Sequence, residues 1–265
     1  MLKPLTACVV LASSSFAAEP PRRLVLVGGG DTPVAAAERF VEWAGGPKAH
    51  ILVMAWSTND PNGSLEDARK EFPPAAVELA VSSAALGTPA FAAQLARATG
   101  IWFAGGDQVD HMAALNSSGG APLAAVRRRF RDGLPFGGTS AGTAVMSRIM
   151  LTGDGDFTAI GPGKTETAEG LGLLDGVILD QHFIKRGRQN RLFSLVLEHR
   201  DHLGLGIDED TAAAIEDGRA EVFGKGAVTV VRARDDADEA LTVELLRPGQ
   251  AYDLRSKARV YGTRR

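Results

Sequence analysis

The chain has 265 residues, 45% apolar and 23% charged, with a formal net charge of -3 and a pI near 6.0. That balance describes a globular chain with enough apolar residues for a sizeable core, and it excludes a disordered or fibrous one. It supplies no whole-molecule field for nucleic acid or an anionic membrane, so any charged recognition has to be local.

Residues 1–18 read as a leader, with Met1-Leu2-Lys3 as the basic start, Leu5 to Ala12 as the apolar part and Ser15-Phe16-Ala17-Ala18 as the small residues before Glu19-Pro20. The pattern predicts a secretory signal peptide cleaved after Ala17 or Ala18, and a secreted or periplasmic protein folded as one domain over 22–265. Its apolar run is too short for a permanent anchor, so no membrane anchor is expected in the mature form. The single cysteine, Cys8, lies in this segment. Leu5-Thr6-Ala7-Cys8 also has the form of a lipoprotein cleavage box, but only seven residues precede the cysteine. The mature chain then carries no disulfide and no cysteine metal site, and no metal or cofactor is expected.

From Arg23 onward, strands and helices alternate. Arg23–Val27 is an apolar β run ending in Gly28-Gly29-Gly30-Asp31, before a helical pattern over Pro33–Trp43. The triple glycine lacks the spaced G-x-G-x-x-G of a dinucleotide loop. Further strands are predicted at His50–Trp56, Val77–Val81 and Ile101–Phe103, with helices at Leu65–Phe72, Pro89–Ala98, Val109–Asn116 and Pro122–Arg131. Arg127-Arg128-Arg129 with Arg131 reads as a solvated helix face. The alternation predicts a mostly parallel sheet flanked by helices, whose strand ends gather their loops along one rim.

Gly137-Gly138-Thr139-Ser140-Ala141-Gly142 follows the apolar Leu134-Pro135-Phe136 and precedes an amphipathic run, Thr143–Met150, expected to be helical. Two readings suit a serine between glycines in a strand-to-helix turn: an ordinary glycine-rich connection, or an elbow that presents a nucleophile. The segment 151–170 is rich in Gly, Asp and Thr and is expected to be a long loop, a lid beside the site. Gly176–Asp180 returns to strand, a helix runs to His199, and the remaining short runs have hairpin spacing. They predict an antiparallel β extension of the same sheet.

A serine needs a base to take its proton. Of five histidines, His50 begins a strand, His111 lies in a helix, and His199 and His202 sit at a polar helix end; His182 alone follows an apolar strand directly onto the expected rim. Glu209 follows another short strand and is the candidate partner, with Asp208 and Asp210 as rivals. The amide of Ala141 after the serine, with that of Gly106, would receive the oxyanion of an acyl-transfer reaction. Arg186, Arg188 and Arg191 lie within nine residues of His182, and guanidinium forks bind carboxylates, which predicts an acidic substrate.

Gly137–Gly142, Asp180-Gln181-His182-Phe183 with the arginines after it, Gly105-Gly106-Asp107-Gln108 and Gly206-Ile207-Asp208-Glu209, in this order and spacing, resemble the cyanophycinases and the related serine peptidases of the dipeptidase E group. The resemblance runs from about Leu24 to the antiparallel end. It implies a fold akin to the class I glutamine amidotransferases and a Ser140-His182-Glu209 triad, with Gln108, Asp180, Gln181, Arg186, Arg188 and Arg191 lining the substrate pocket. It further implies hydrolysis of cyanophycin, a polyaspartate carrying arginine side groups, to β-aspartyl-arginine dipeptides, and a homodimer. The alternatives are an exopeptidase for small α- or β-aspartyl peptides and an exported, non-catalytic binder of acidic peptides. The chain departs from the family pattern at Thr143, where alanine is usual, and in the Gly28–Thr32 turn, which lacks the usual acidic residue after paired glycines unless Asp31 takes that role.

Overall fold

The computed structural model describes residues 19–237 and 239–261. The leader-like segment 1–18, Cys8 included, lies outside the described residues. The first half of the chain alternates as β1 (Arg23–Val27), α1 (Val34–Trp43), β2 (His50–Met54), α2 (Pro61–Glu71), β3 (Ala76–Leu79), α3 (Pro89–Arg97), β4 (Gly100–Phe103), α4 (Gln108–Leu115), α5 (Ala121–Arg131) and β5 (Phe136–Thr139). After the glycine turn come α6 (Ala141–Ala144), β6 (Ile149–Gly155), β7 (Thr165–Glu169), β8 (Val177–Gln181), α7 (Gln189–Glu198) and β9 (Leu203–Ile207). The chain closes with β10 (Thr211–Glu216), β11 (Arg219–Gly224), β12 (Val228–Ala233), β13 (Leu241–Leu246), β14 (Ala251–Asp253) and β15 (Ala258–Val260).

A nine-stranded sheet in the order β15-β14-β11-β10-β1-β5-β4-β2-β3 forms the centre. β1, β5, β4, β2 and β3 run parallel, whereas β10, β11, β14 and β15 extend the sheet antiparallel from β1. Burial follows the strand period of two. Leu24 and Leu26 of β1 face one core while Val25 and Val27 face the other, so both sides need helices to cover them. α1 and α2 cover one face through Phe40 and Phe72, whose rings meet Trp102 of β4 at 5.3 and 4.8 Å. α3, α4 and α5 cover the other through Phe91, Leu115, Val126 and Phe130.

Not all the late strands join that sheet, contrary to the single extension expected from sequence. β8 pairs parallel with β9 in a separate four-stranded sheet ordered β13-β12-β9-β8. Its two faces are both apolar. Leu179, Leu205, Val228 and Val230 belong to the core shared with the main sheet, while Ile178 and Val231 pack with Leu192, Leu195 and Val196 of α7. Two further expectations change. The helix after the glycine turn is one turn long, because Ile149–Gly155 pairs with Thr165–Glu169 as a β hairpin, which also replaces the structureless lid expected over 151–170.

Candidate active site

Ser140 follows the end of β5 with φ 54° and ψ -117°, outside the ordinary allowed regions, so the turn throws its side chain out of the strand. The next element is an entering turn, and neither Ala141 N–H nor Gly106 N–H donates a hydrogen bond among the described residues. The Gly105–Gly106 turn borders the serine: a Cβ on Gly105 would stand 3.7 Å from Ser140 Cβ. Gly106 holds φ 135°, and a side chain there would collide with Ser57 O at 2.2 Å. Two amides near Ser140 therefore lack an acceptor among the described residues, as donors to a developing oxyanion would.

His182 follows β8 and comes from the second sheet, while Ser140 comes from the main one. Ser140 Oγ is 2.8 Å from His182 Nε2, and His182 Nδ1 is 2.7 Å from Glu209 Oε1. The carboxylate can only accept, so the ring proton sits on Nδ1 and Nε2 is left to accept from the serine hydroxyl. Of the three acids that sequence could not separate, Glu209 holds the ring. Asp208 Oδ1 accepts the Lys185 N–H at 3.0 Å, and Asp210 is taken by the Asp31 N–H at 2.9 Å and Lys225 Nζ at 3.1 Å. Asp31 thus meets the site through its backbone. Burial, opposed by the Glu209 hydrogen bond, keeps the His182 imidazole below its ordinary value, with Arg186 and Arg188 adding to the depression.

The glycine turn after β1 is the spine of this arrangement. Three successive carbonyls each take one amide from the converging segments: Val27 O from Ser140 N at 3.1 Å, Gly28 O from His182 N at 2.7 Å and Gly29 O from Asp210 N at 2.8 Å. Sequence reading placed this loop on the rim and saw no such role, since backbone acceptors leave no side-chain signal. Thr143 joins the same hub, its wholly buried hydroxyl lying 2.7 Å from Val27 O and 2.8 Å from Gly138 O.

The six expected pocket residues divide. Arg186 and Arg188, with Gly153, Phe157, Asn190 and Arg191, line a cleft of ≈ 320 Å³ beside the relay. Phe157 and Asn190 carried no sequence signal for the site; they are brought there because Asn190 Nδ2 donates to Phe157 O at 2.8 Å and ties the hairpin to α7. Arg188 donates to both oxygens of Gln181, and desolvation together with Arg191 lowers it to about 10. Asp180 is wholly buried and both its oxygens are taken, by Arg191 and by the Gln181 N–H. Asp180, expected to line the pocket, is therefore closed to a ligand; Asp180 and Arg191 form a floor beneath the cleft. Gln108 donates to Leu151 O at 3.0 Å and Thr152 O at 2.6 Å, anchoring β6.

Another cleft, lined by Arg22, Leu24, Phe130, Leu173, Ile215 and Leu254, opens at the opposite ends of β1 and β10, away from Ser140. His199 and His202, beside Glu198 and Asp201 at the end of α7, are half-buried, with His202 Nδ1 2.8 Å from Asp201 Oδ1. Among the described residues no group of three or more His, Cys, Asp or Glu is placed to hold a metal, and no helix is long and apolar enough to cross a membrane.

Residues 24–223 match the sequence profile of Peptidase family S51. A cyanophycinase of Synechococcus elongatus is 39% identical over 180 residues, covering 62% of this chain and 55% of that protein. A cyanophycinase of Trichormus variabilis is 42% identical over 166 residues, covering 58% and 55%. The chain thus spans about half the length of the curated relatives it matches. A crystal structure of a peptidase from an acI-B1 Actinobacterium has the same fold, with a TM-score of 0.67 over 87% of this chain and 96% of that one at 19% identity.

Proposed function

The chain belongs to Peptidase family S51, and from that premise we propose that it is a serine-type peptidase that cleaves β-aspartyl-arginine units from an Asp/Arg polymer of the cyanophycin kind. The observation that carries the reading is the hydrogen-bonded run Ser140–His182–Glu209 beside an arginine-lined cleft. The similarity to cyanophycinases at 39% and 42% identity supports the substrate class. The leader-like residues 1–18 extend the proposal to export, so that the polymer is digested outside the cell; fractionation of expressing cells tests this, and retention of the activity in the cytoplasm rejects it.

In this reading Ser140 Oγ attacks the scissile carbonyl carbon as its proton passes to His182 Nε2. The imidazolium is held by Glu209, and the carbonyl oxygen, now an anion, is received by the Ala141 and Gly106 amides. Collapse returns the electron pair, breaks the C–N bond and gives the His182 proton to the leaving amine. Water then repeats the sequence on the acyl-serine: His182 takes its proton, the hydroxyl adds, and Ser140 leaves protonated. Arg186 and Arg188 hold the carboxylate of the acyl part, placing the carbonyl over the hydroxyl.

Incubation of the purified protein with cyanophycin, with identification of the products, tests the proposal. β-Aspartyl-arginine is expected from the unaltered protein and a loss of several orders of magnitude in Ser140→Ala and in His182→Ala. Equal release by Ser140→Ala and the unaltered protein rejects the nucleophile. Cleavage confined to small α- or β-aspartyl dipeptides in a substrate panel replaces the polymer by those peptides.

A further inference from the structure

Arg186 stands where a serine–histidine–carboxylate relay gains nothing from a cation. Its Nε is 3.8 Å from Glu209 Oε1, the same oxygen that accepts the His182 Nδ1–H. A relay carboxylate acts through its negative charge, which steadies the imidazolium formed as the base takes the serine proton. A guanidinium beside that oxygen offsets the charge and disfavours the imidazolium itself. In the resting protein the base is thus held back by a neighbour that lies at the mouth of the binding cleft.

The remaining charges around the ring have partners. Arg188 is held by the two Gln181 oxygens, Asp208 accepts from Lys185 N, and Asp210 is taken by the Asp31 N–H and Lys225. The uncharged Gly29 packs against the ring. Arg186 differs from its neighbours: its backbone is fixed, its N–H donating to His182 O at 2.9 Å, while its side chain is 53% exposed. An exposed ion pair of this separation contributes little, so a two-pronged contact with an incoming carboxylate readily replaces it.

We propose that Arg186 is a charge-operated specificity switch: a substrate carboxylate draws its guanidinium away from Glu209, and the relay reaches full basicity only when an acidic group fills the cleft. This rests on reading the chain as a peptidase of acidic peptides, and it adds that substrate charge is rewarded in turnover as well as in binding. No covalent bond changes in the exchange. One ion pair replaces another, and the Nδ1 proton stays on His182.

The test uses Arg186→Gln and Arg186→Lys, each checked for an unchanged circular dichroism spectrum, with two substrates. On the neutral ester p-nitrophenyl acetate, Arg186→Gln is expected to be roughly threefold faster on the alkaline plateau, because a more basic imidazole is a better general base, with its acid limb moved to higher pH. Arg186→Lys, which keeps the charge without the guanidinium fork, is expected to speed the ester reaction less than Arg186→Gln does. On an aspartyl-arginine oligomer Arg186→Gln is expected to lose at least roughly tenfold in kcat/KM. In Ser140→Ala protein, saturating N-acetyl-aspartate is expected to raise the NMR titration midpoint of His182, and to leave it unmoved when Arg186→Gln is added. Ester hydrolysis that is unchanged or slower in Arg186→Gln, or equal ligand-induced shifts in the two backgrounds, overturns the switch while the peptidase reading stands. No turnover of any aspartyl peptide by the unaltered protein overturns the reading beneath it.

Discussion

Gly29 lies directly under the His182 imidazole: a Cβ built on it would stand 2.1 Å from Cε1 and 2.6 Å from Nε2. Its φ of 106° is one that side chains with a Cβ rarely adopt. Gly29→Ala therefore has to push the ring off the serine, and a displacement of about 1 Å costs on the order of 10²-fold in rate. The expected outcome is a folded protein with about that loss in kcat, together with a loss of about 1–3 kcal/mol of stability from the strained backbone. Activity within twofold of the unaltered protein would show that the ring does not need this floor.

Glu209 fixes the tautomer of His182 as well as its orientation. In Glu209→Gln the new amide can donate to Nδ1, which leaves Nε2 protonated and unable to accept from Ser140. A fall of roughly 10⁴-fold in kcat is expected with little change in KM, the size seen when a relay acid becomes an amide. Should Asp208→Asn prove as damaging as Glu209→Gln, the acid has been misassigned.

The buried pair of Asp180 and Arg191 is a matter of stability. Both side chains are at or below 6% exposure, and Asp180 has no oxygen left for a ligand. Removing one partner strands a buried charge at a cost of about 3–5 kcal/mol, and at roughly 2–4 °C per kcal/mol Arg191→Met should lower Tm by about 10 °C. Asp180→Leu combined with Arg191→Leu should recover most of that loss. A raised KM with Tm unchanged in Arg191→Met would instead make this residue a substrate contact.

His111 links stability to pH. It is wholly buried, its Nε2–H donates to Ala104 O at 3.0 Å, and its Nδ1 has no partner among the described residues. Burial lowers it from 6.5 to about 4. Between those values the unfolded chain takes up a proton that the folded one refuses. The stability contribution is therefore complete above about pH 6.5 and drains away as the pH falls toward 4, by about 3 kcal/mol in all. Denaturant titrations between pH 7 and 4.5 should show this slope, and His111→Leu should remove it. Equal slopes in the two proteins would place the acid sensitivity elsewhere.

The alternating first half, the glycine turn at Ser140 and the approach of His182 were legible because each leaves a local pattern: a period of residues, a flanking pair of glycines, an apolar strand before a polar residue. The second sheet was not. β8 and β9 read as strands equally well in either sheet, since both their faces are covered, and only the α7 packing decides which sheet they join. The hairpin over 149–169 was hidden by its composition. Gly153 and Gly155 weaken a strand pattern, and the pairing shifts register between Leu151 and Gly155. The exclusion of Asp180 from the pocket was equally out of reach, because a carboxylate beside an arginine array reads alike whether it faces a ligand or its own neighbour.

Ser140 belongs to one sheet and His182 to the other, and the backbones of both are held on the end of β1 and the glycine turn after it. A chain in which β1 and β5 have paired but the second layer has not docked carries a bare serine with nothing to deprotonate it. The proposed relay is complete only once both sheets have docked. For the proposed peptidase, the interval before the two sheets dock is one in which Ser140 stands without its base.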